Sequence, residues 1–151
     1  MFGKMETPTE VITAATRQSE SGLIMLVDDD QDITDVLKLG LENSGFSVDT
    51  YNEPLIALSK FKSKRYDVVI LDIRMPRLNG FELYRKMKAI DGNASYCFLT
   101  AFDIERTEFD KMFPEIGVKL FIRKPVSISE LAARLHRILS RPNGLKTDIL
   151  T

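Results

Sequence analysis

Five short stretches of the chain carry the spacing of strands. Leu23-Ile24-Met25-Leu26-Val27 is a continuous apolar run that stops at Asp28-Asp29-Asp30. Phe46 to Tyr51 forms the second stretch. Val68-Val69-Ile70-Leu71 forms the third, between Asp67 and Asp72. Tyr96-Cys97-Phe98-Leu99, ending at Thr100, and Val118 to Ile122, ending at Lys124-Pro125, complete the set. Unbroken apolar runs such as the first and third predict strands buried on both faces.

Between them the apolar positions switch to helical spacing. Ile33, Val36, Leu37 and Leu41 predict a first helix, stopped at Gly45. Pro54 opens a second, with Leu55, Leu58 and Phe61 as its inner face. Asn79-Gly80 opens a third, with Phe81, Leu83, Met87 and Ile90 toward the core, broken at Asp91-Gly92-Asn93. Asp103 to Met112 predicts a fourth helix, its acidic start at Asp103 and Glu105 suiting the helix dipole. Ser127 caps a fifth, carrying Ile128, Leu131, Leu135, Ile138 and Leu139. Strands alternating with helices over short connections predict an α/β fold with a parallel sheet covered on both faces.

In such a sheet every strand ends on the same edge, where ligand sites form. The polar groups at those ends are Asp28 and Asp29, Asp72, Thr100 and Lys124. Asp72 terminates the central run, and the loop Ile73-Arg74-Met75-Pro76-Arg77-Leu78-Asn79-Gly80 follows it. Three crowded carboxylates repel one another, and a hard cation with oxygen ligands relieves that repulsion. Mg2+ fits, since it binds through a few carboxylates plus waters and substrate oxygens. The hydroxyl of Thr100 and the ammonium of Lys124 add a place for a phosphate-sized anion. Asp72 is then the nucleophile of a phosphoryl transfer, forming an aspartyl phosphate. Mg2+ and Lys124 stabilise charge on the transferred group.

Composition narrows the rest. A net charge of −1 provides no basic field for nucleic acid and no polybasic membrane patch. One cysteine, Cys97, excludes an intrachain disulfide and the common zinc clusters. No stretch has the length of a membrane span, and the polar first 22 residues have no apolar core of signal-peptide type. The expected compartment is the cytoplasm. The expected organisation is a flexible extension over 1–22, one domain over 23–140 and a tail over 141–151. His136, the only histidine, reads as a surface residue of the last helix, and Phe109, Met112 and Phe113 as core.

Four motifs carry a resemblance. Leu26-Val27-Asp28-Asp29-Asp30, Leu71-Asp72-Ile73-Arg74-Met75-Pro76 with Gly80, Leu99-Thr100-Ala101, and Arg123-Lys124-Pro125 resemble those of response-regulator receiver domains. The resemblance spans about Leu23 to Ser140. It implies a flavodoxin-like sheet of order 2-1-3-4-5. It implies phosphoryl transfer onto Asp72 from the phosphohistidine of a histidine kinase or phosphotransfer protein, with Mg2+ as cofactor. Asp28, Asp29, Asp72 and the backbone carbonyl of Arg74 are then the metal ligands. Thr100 binds the phosphoryl group, Lys124 pairs with it, and Thr100 with Phe121 forms the switch. Pairing of two phosphorylated copies is a further expectation.

Phe121 stands where many receivers carry tyrosine, so the switch aromatic lacks a hydroxyl. Arg74 and Phe102 flank the expected path of attacking water and bear on phosphoryl lifetime. With only 11 residues after Ser140, the expected output is a protein contact or a relay, and the chain acts as a signalling domain rather than a turnover enzyme. Two rivals stand beside this reading. Asp30-Gln31-Asp32-Ile33-Thr34 has the Asp-x-Asp-x-Thr spacing of haloacid-dehalogenase phosphohydrolases, although Asp30 does not follow the apolar strand directly. The other rival is a receiver-like scaffold that binds a partner without phosphorylation, against which the retained acids argue.

Overall fold

The computed structural model describes residues 22–101 and 118–140. Five parallel strands run through them: β1 Leu23–Val27, β2 Ser47–Tyr51, β3 Val68–Leu71, β4 Ser95–Thr100 and β5 Val118–Arg123. The sheet order is β2-β1-β3-β4-β5, as the receiver resemblance implies. Among the described residues four helices cover it: α1 Gln31–Asn43, α2 Pro54–Lys60, α3 Gly80–Ile90 and α4 Ile128–Ser140. The helix expected over 103–112 lies outside the described residues, as do Phe109, Met112 and Phe113. No helix among the described residues is long and apolar enough to cross a membrane.

β3 sits at the centre because all four of its residues are apolar and both its neighbours are strands. Alternation along the strands then divides the core. Met25, Val27, Val69, Leu71, Tyr96, Phe98 and Phe121 face one side, where Ala57 and Phe61 meet Phe81, Leu83, Tyr84 and Met87. Ile24, Leu26, Val68, Ile70, Cys97, Leu99 and Ile122 face the other, under Leu37 and Leu41 of α1 and Leu131, Ala132 and Leu135 of α4. Each such side chain, fully buried, stabilises the fold by about 1.5–3 kcal/mol relative to exposure. Cys97 is buried within the second layer and forms no disulfide.

The helix ends follow from local chemistry. The Asp30 carboxylate caps α1, accepting from the amides of Asp32 and Ile33 at 3.0 and 3.4 Å. Gly45, at φ 103°, turns the chain out of α1 in a conformation that costs other residues a Cβ clash. Asn79 caps α3 by accepting from Glu82 N at 2.9 Å. The Ser127 hydroxyl accepts from Glu130 N at 3.1 Å and caps α4.

Three expected core positions are corrected. Val36, Leu55 and Ile90 are 62%, 50% and 44% exposed. The cause is helix phase, because neighbouring residues point about 100° apart. In α1 the buried row is Thr34, Leu37 and Leu41. In α2 it is Pro54 and Ala57, extended by Phe61 just beyond the helix, with Leu58 partly buried. Beyond α3 the row continues from Met87 to Asp91, whose buried carboxylate accepts from the amides of Lys64 and Asn93 at 2.9 Å each.

Candidate functional site

Sheet register brings the polar strand ends together. Val27 of β1 lies beside Leu71 of β3, so Asp28 and Asp72 emerge side by side. Ladder bonds carry on past the strands: Asp72 N donates to Val27 O at 2.9 Å, and Asp28 N to Tyr51 O at 3.1 Å. Thr100 ends β4 opposite Arg123, and Lys124 follows. The Thr100 side chain and Phe102 lie outside what the structure describes. Peptide Lys124–Pro125 is cis.

The three acids converge. Asp28, Asp29 and Asp72 each offer an oxygen, and these oxygens lie within 4.8 Å of one another. Asp28 and Asp72 are buried, while Asp29 faces solvent. Lys124 reaches back over them. Its Nζ lies 2.7 Å from Asp28 Oδ2 and 3.8 Å from Asp72 Oδ1, so Asp28 is its closer partner. Its side chain is only 16% exposed, and that of Asp28 2%, so this pair is shielded from water.

One ammonium among three carboxylates leaves excess negative charge, and the Asp29 carboxyl responds. Its pKa is raised, first by loss of hydration around the carboxyl and then by the neighbouring Asp28 charge. The fold thus disfavours ionised Asp29, and this contribution costs stability as pH rises through the carboxylate range. Converging carboxylate oxygens, with room for water on the Asp29 side, are the donor set a hard divalent cation takes.

Backbone and loops hold the arrangement. Asp28 Oδ1 accepts from Asp30 N at 3.0 Å. Gly80, first residue of α3, donates its N–H to Ile73 O at 2.8 Å. A Cβ on Gly80 would stand 2.2 Å from the Asp72 carbonyl oxygen, so only glycine lets α3 start against the Asp72 backbone. Ile73, Met75 and Leu78 anchor the loop in the core, while Arg74 is exposed. Arg77, at φ 72°, pairs with Glu53 before α2 and ties the β3–α3 loop to the β2–α2 loop. Phe121 is buried, its ring centroid 6.5 Å from that of Phe98.

Sequence reasoning missed Asn52. Its amide Nδ2 donates to the Asp28 carbonyl at 2.7 Å and to Thr34 Oγ1 at 3.0 Å. The only signal was a polar residue directly after β2, on the same sheet edge as the acids. The Asp-x-Asp-x-Thr spacing finds a structural role instead. Asp30 caps α1, and the buried Thr34 hydroxyl donates to Gln31 O at 3.0 Å. His136 stacks on Phe46 at 4.4 Å and lies 3.2 Å from Ser44 O, at the opposite end of α1 from the acids.

Known proteins match this arrangement. The family model for the response regulator receiver domain matches residues 24–136. The transcriptional regulatory protein CreB of Escherichia coli is 35% identical over 125 residues, which are 82% of this chain and 53% of that protein. A homolog of the transcriptional regulatory protein CpxR in Haemophilus influenzae is 38% identical over 128 residues, 83% of this chain and 54% of that protein. The chain spans about half the length of the curated relatives it matches. The non-phosphorylated HemR receiver domain from Leptospira biflexa superposes with a TM-score of 0.71 at 31% identity, covering 80% of this chain and 98% of that one. The CheX–CheY–BeF3–Mg2+ complex from Borrelia burgdorferi gives 0.68 at 26% identity, covering 79% and 90%. With its sheet order, its acidic strand ends and its match over residues 24–136, the chain belongs to the response-regulator receiver domains.

Proposed function

We propose that the chain accepts a phosphoryl group on Asp72 from a phosphohistidine, with Mg2+ bound by Asp28, Asp29, Asp72 and the Arg74 carbonyl. The observation that carries this is the convergence of three carboxylates under the Lys124 ammonium at the end of the central strand. An Asp72 oxygen attacks phosphorus, the phosphorus–nitrogen bond breaks, and the histidine leaves with its electron pair. The product is an acyl phosphate. Bound Mg2+ would neutralise charge on the phosphoryl oxygens. Lys124 then exchanges its Asp28 contact for the phosphoryl group, and the Thr100 hydroxyl donates to it. Its role is that of a phosphorylated signalling domain spanning 23–140, in the cytoplasm, with a histidine kinase or phosphotransfer protein upstream and a protein target downstream. The Borrelia burgdorferi complex, in which CheY is found with BeF3 and Mg2+, supports the cofactor and the chemistry.

The test is transfer of label from a phosphohistidine donor in Mg2+ and in chelator. Metal-dependent, stable labelling is expected. Steady hydrolysis of small phosphate esters without an adduct contradicts the reading and favours the phosphohydrolase rival. The same sample reports on the switch and the lifetime. Movement of Thr100 toward the phosphoryl group would open space beside the buried Phe121, and β5 and α4 with residues 103–112 would carry the change. Beryllofluoride should therefore shift amide resonances around Phe121. Changes confined to the acids contradict the switch. Arg74, exposed beside Asp72, is long enough to cover the phosphoryl group, and the receiver resemblance implies that Phe102 flanks the path of attacking water. Decay should be slow, and faster in Arg74→Ala and Phe102→Ala; equal decay removes the shielding role.

A further inference from the structure

The peptide joining Asp28 to Asp29 connects the two acids that follow β1, and its orientation sets the direction in which their side chains leave the main chain. Main-chain atoms of Asp28 are held from the β2 side at both ends. Its N–H reaches Tyr51 O at 3.1 Å, and its carbonyl accepts from the Asn52 amide at 2.7 Å. The second N–H of that amide goes to Thr34 Oγ1 at 3.0 Å. Thr34 is itself buried, and its hydroxyl proton is committed to Gln31 O at 3.0 Å. A short chain of hydrogen bonds therefore runs from the first turn of α1, through the β2–α2 loop, to the carbonyl between the two acids.

We propose that Asn52, held by Thr34, is the positioning residue for the acid pair: it locks the Asp28–Asp29 peptide plane so that both carboxylates are preset for a divalent cation. The inference rests on the receiver reading above. Without the amide the Asp28 carbonyl loses its side-chain partner and the peptide gains freedom to rotate. The acids then pay an ordering cost each time they close on a cation. Asp72 and Lys124 follow β3 and β5 and are not touched by Asn52, so the chemistry at full occupancy is left intact. Removal of groups that orient metal ligands commonly weakens metal binding by about 10- to 100-fold.

The experiment titrates MgCl2 alone into the wild-type chain and into Asn52→Ala, reading the calorimetric dissociation constant and the thermal midpoint. It then follows acetyl phosphate labelling as a function of Mg2+. For Asn52→Ala the dissociation constant should rise by about tenfold, with the labelling rate at saturating Mg2+ returning close to wild type. A lower thermal midpoint with unchanged Mg2+ affinity assigns Asn52 a structural role only and overturns the proposal. A labelling rate that stays low at saturation also overturns it. Should Asn52→Ala fail to fold, Thr34→Val decides, since it removes the acceptor of the second amide N–H at similar volume. A several-fold weaker Mg2+ affinity is expected there, and an unchanged one overturns the proposal. The wild-type arm separates the two levels: a wild-type chain that neither binds Mg2+ nor labels refutes the receiver chemistry, whereas a normal wild type beside a normal Asn52→Ala refutes only the role of Asn52.

Discussion

Gly80→Ala is expected to cut phosphoryl labelling of Asp72 about a hundredfold and to lower the melting temperature by on the order of 10 °C. The added Cβ would sit 2.2 Å from the Asp72 carbonyl oxygen and 2.9 Å from both the Asp72 carbonyl carbon and Ile73 Cα. All three are backbone atoms, so no side-chain rotation relieves the clash. Either α3 must retreat, breaking the 2.8 Å bond from Gly80 N to Ile73 O, or the Asp72 main chain must shift. Overpacking of this kind costs roughly 3 kcal/mol. A displacement near 1 Å at the reacting atom accounts for the loss of rate. Gly40→Ala provides the control. Its Cβ would meet the Ile128 side chain at 2.6–2.8 Å, and that side chain is only partly buried and can turn. Gly40→Ala should lose stability and keep its labelling rate, measured at a temperature where both variants are folded. Equal labelling in Gly80→Ala and wild type contradicts the account of the loop.

Lys124→Met should act in opposite directions on two readouts. The ammonium lies 2.7 Å from Asp28 Oδ2 and 3.8 Å from Asp72 Oδ1, holding oxygens that a cation also needs. Removing it leaves a buried Asp28 carboxylate without its countercharge, which destabilises the metal-free protein by about 3–5 kcal/mol. The same change strengthens Mg2+ binding, roughly tenfold, because repulsion between two cations is gone. Labelling should nevertheless fall by about 10²- to 10³-fold, the usual cost of losing one donor to a charge that develops during transfer. Calorimetric titration with Mg2+ and acetyl phosphate labelling check the two arms. If Mg2+ affinity and labelling fall together, Lys124 only maintains the architecture, and the exchange of partners proposed for it is wrong.

The fold was legible because apolar runs and turn residues agree. β1 has the bounds its unbroken run dictates, and Asn79 and Ser127 cap the helices they precede. Strand order is a different matter: residue spacing yields a parallel sheet, and only the four receiver-like motifs supply the order 2-1-3-4-5. The side-chain row each helix buries was less legible. Val36 and Leu55 are as apolar as Leu37 and Ala57, yet packing against the sheet selects one phase, and periodicity over two or three turns leaves neighbouring phases close in energy. At the site, Asp28, Asp29, Asp72 and Lys124 converge as their places at strand ends require. That Lys124 rests on Asp28 rather than centrally on Asp72 depends on side-chain reach across the sheet edge, which no local pattern encodes. Asn52 was hidden for a related reason. An asparagine after a strand reads as a turn residue, and its grip on the Asp28 carbonyl exists only once β1 and β2 are paired.

Intact-mass measurement after treatment with acetyl phosphate tests the central claim most directly. The wild-type chain in Mg2+ should gain the mass of one phosphoryl group and lose it again at high pH, as acyl phosphates do. The gain should vanish in chelator and in Asp72→Asn, which removes the nucleophile while keeping the volume at the end of β3. A wild-type chain that gains no mass, or an Asp72→Asn chain that labels as well as wild type, contradicts the assignment of Asp72 as the phosphoryl acceptor.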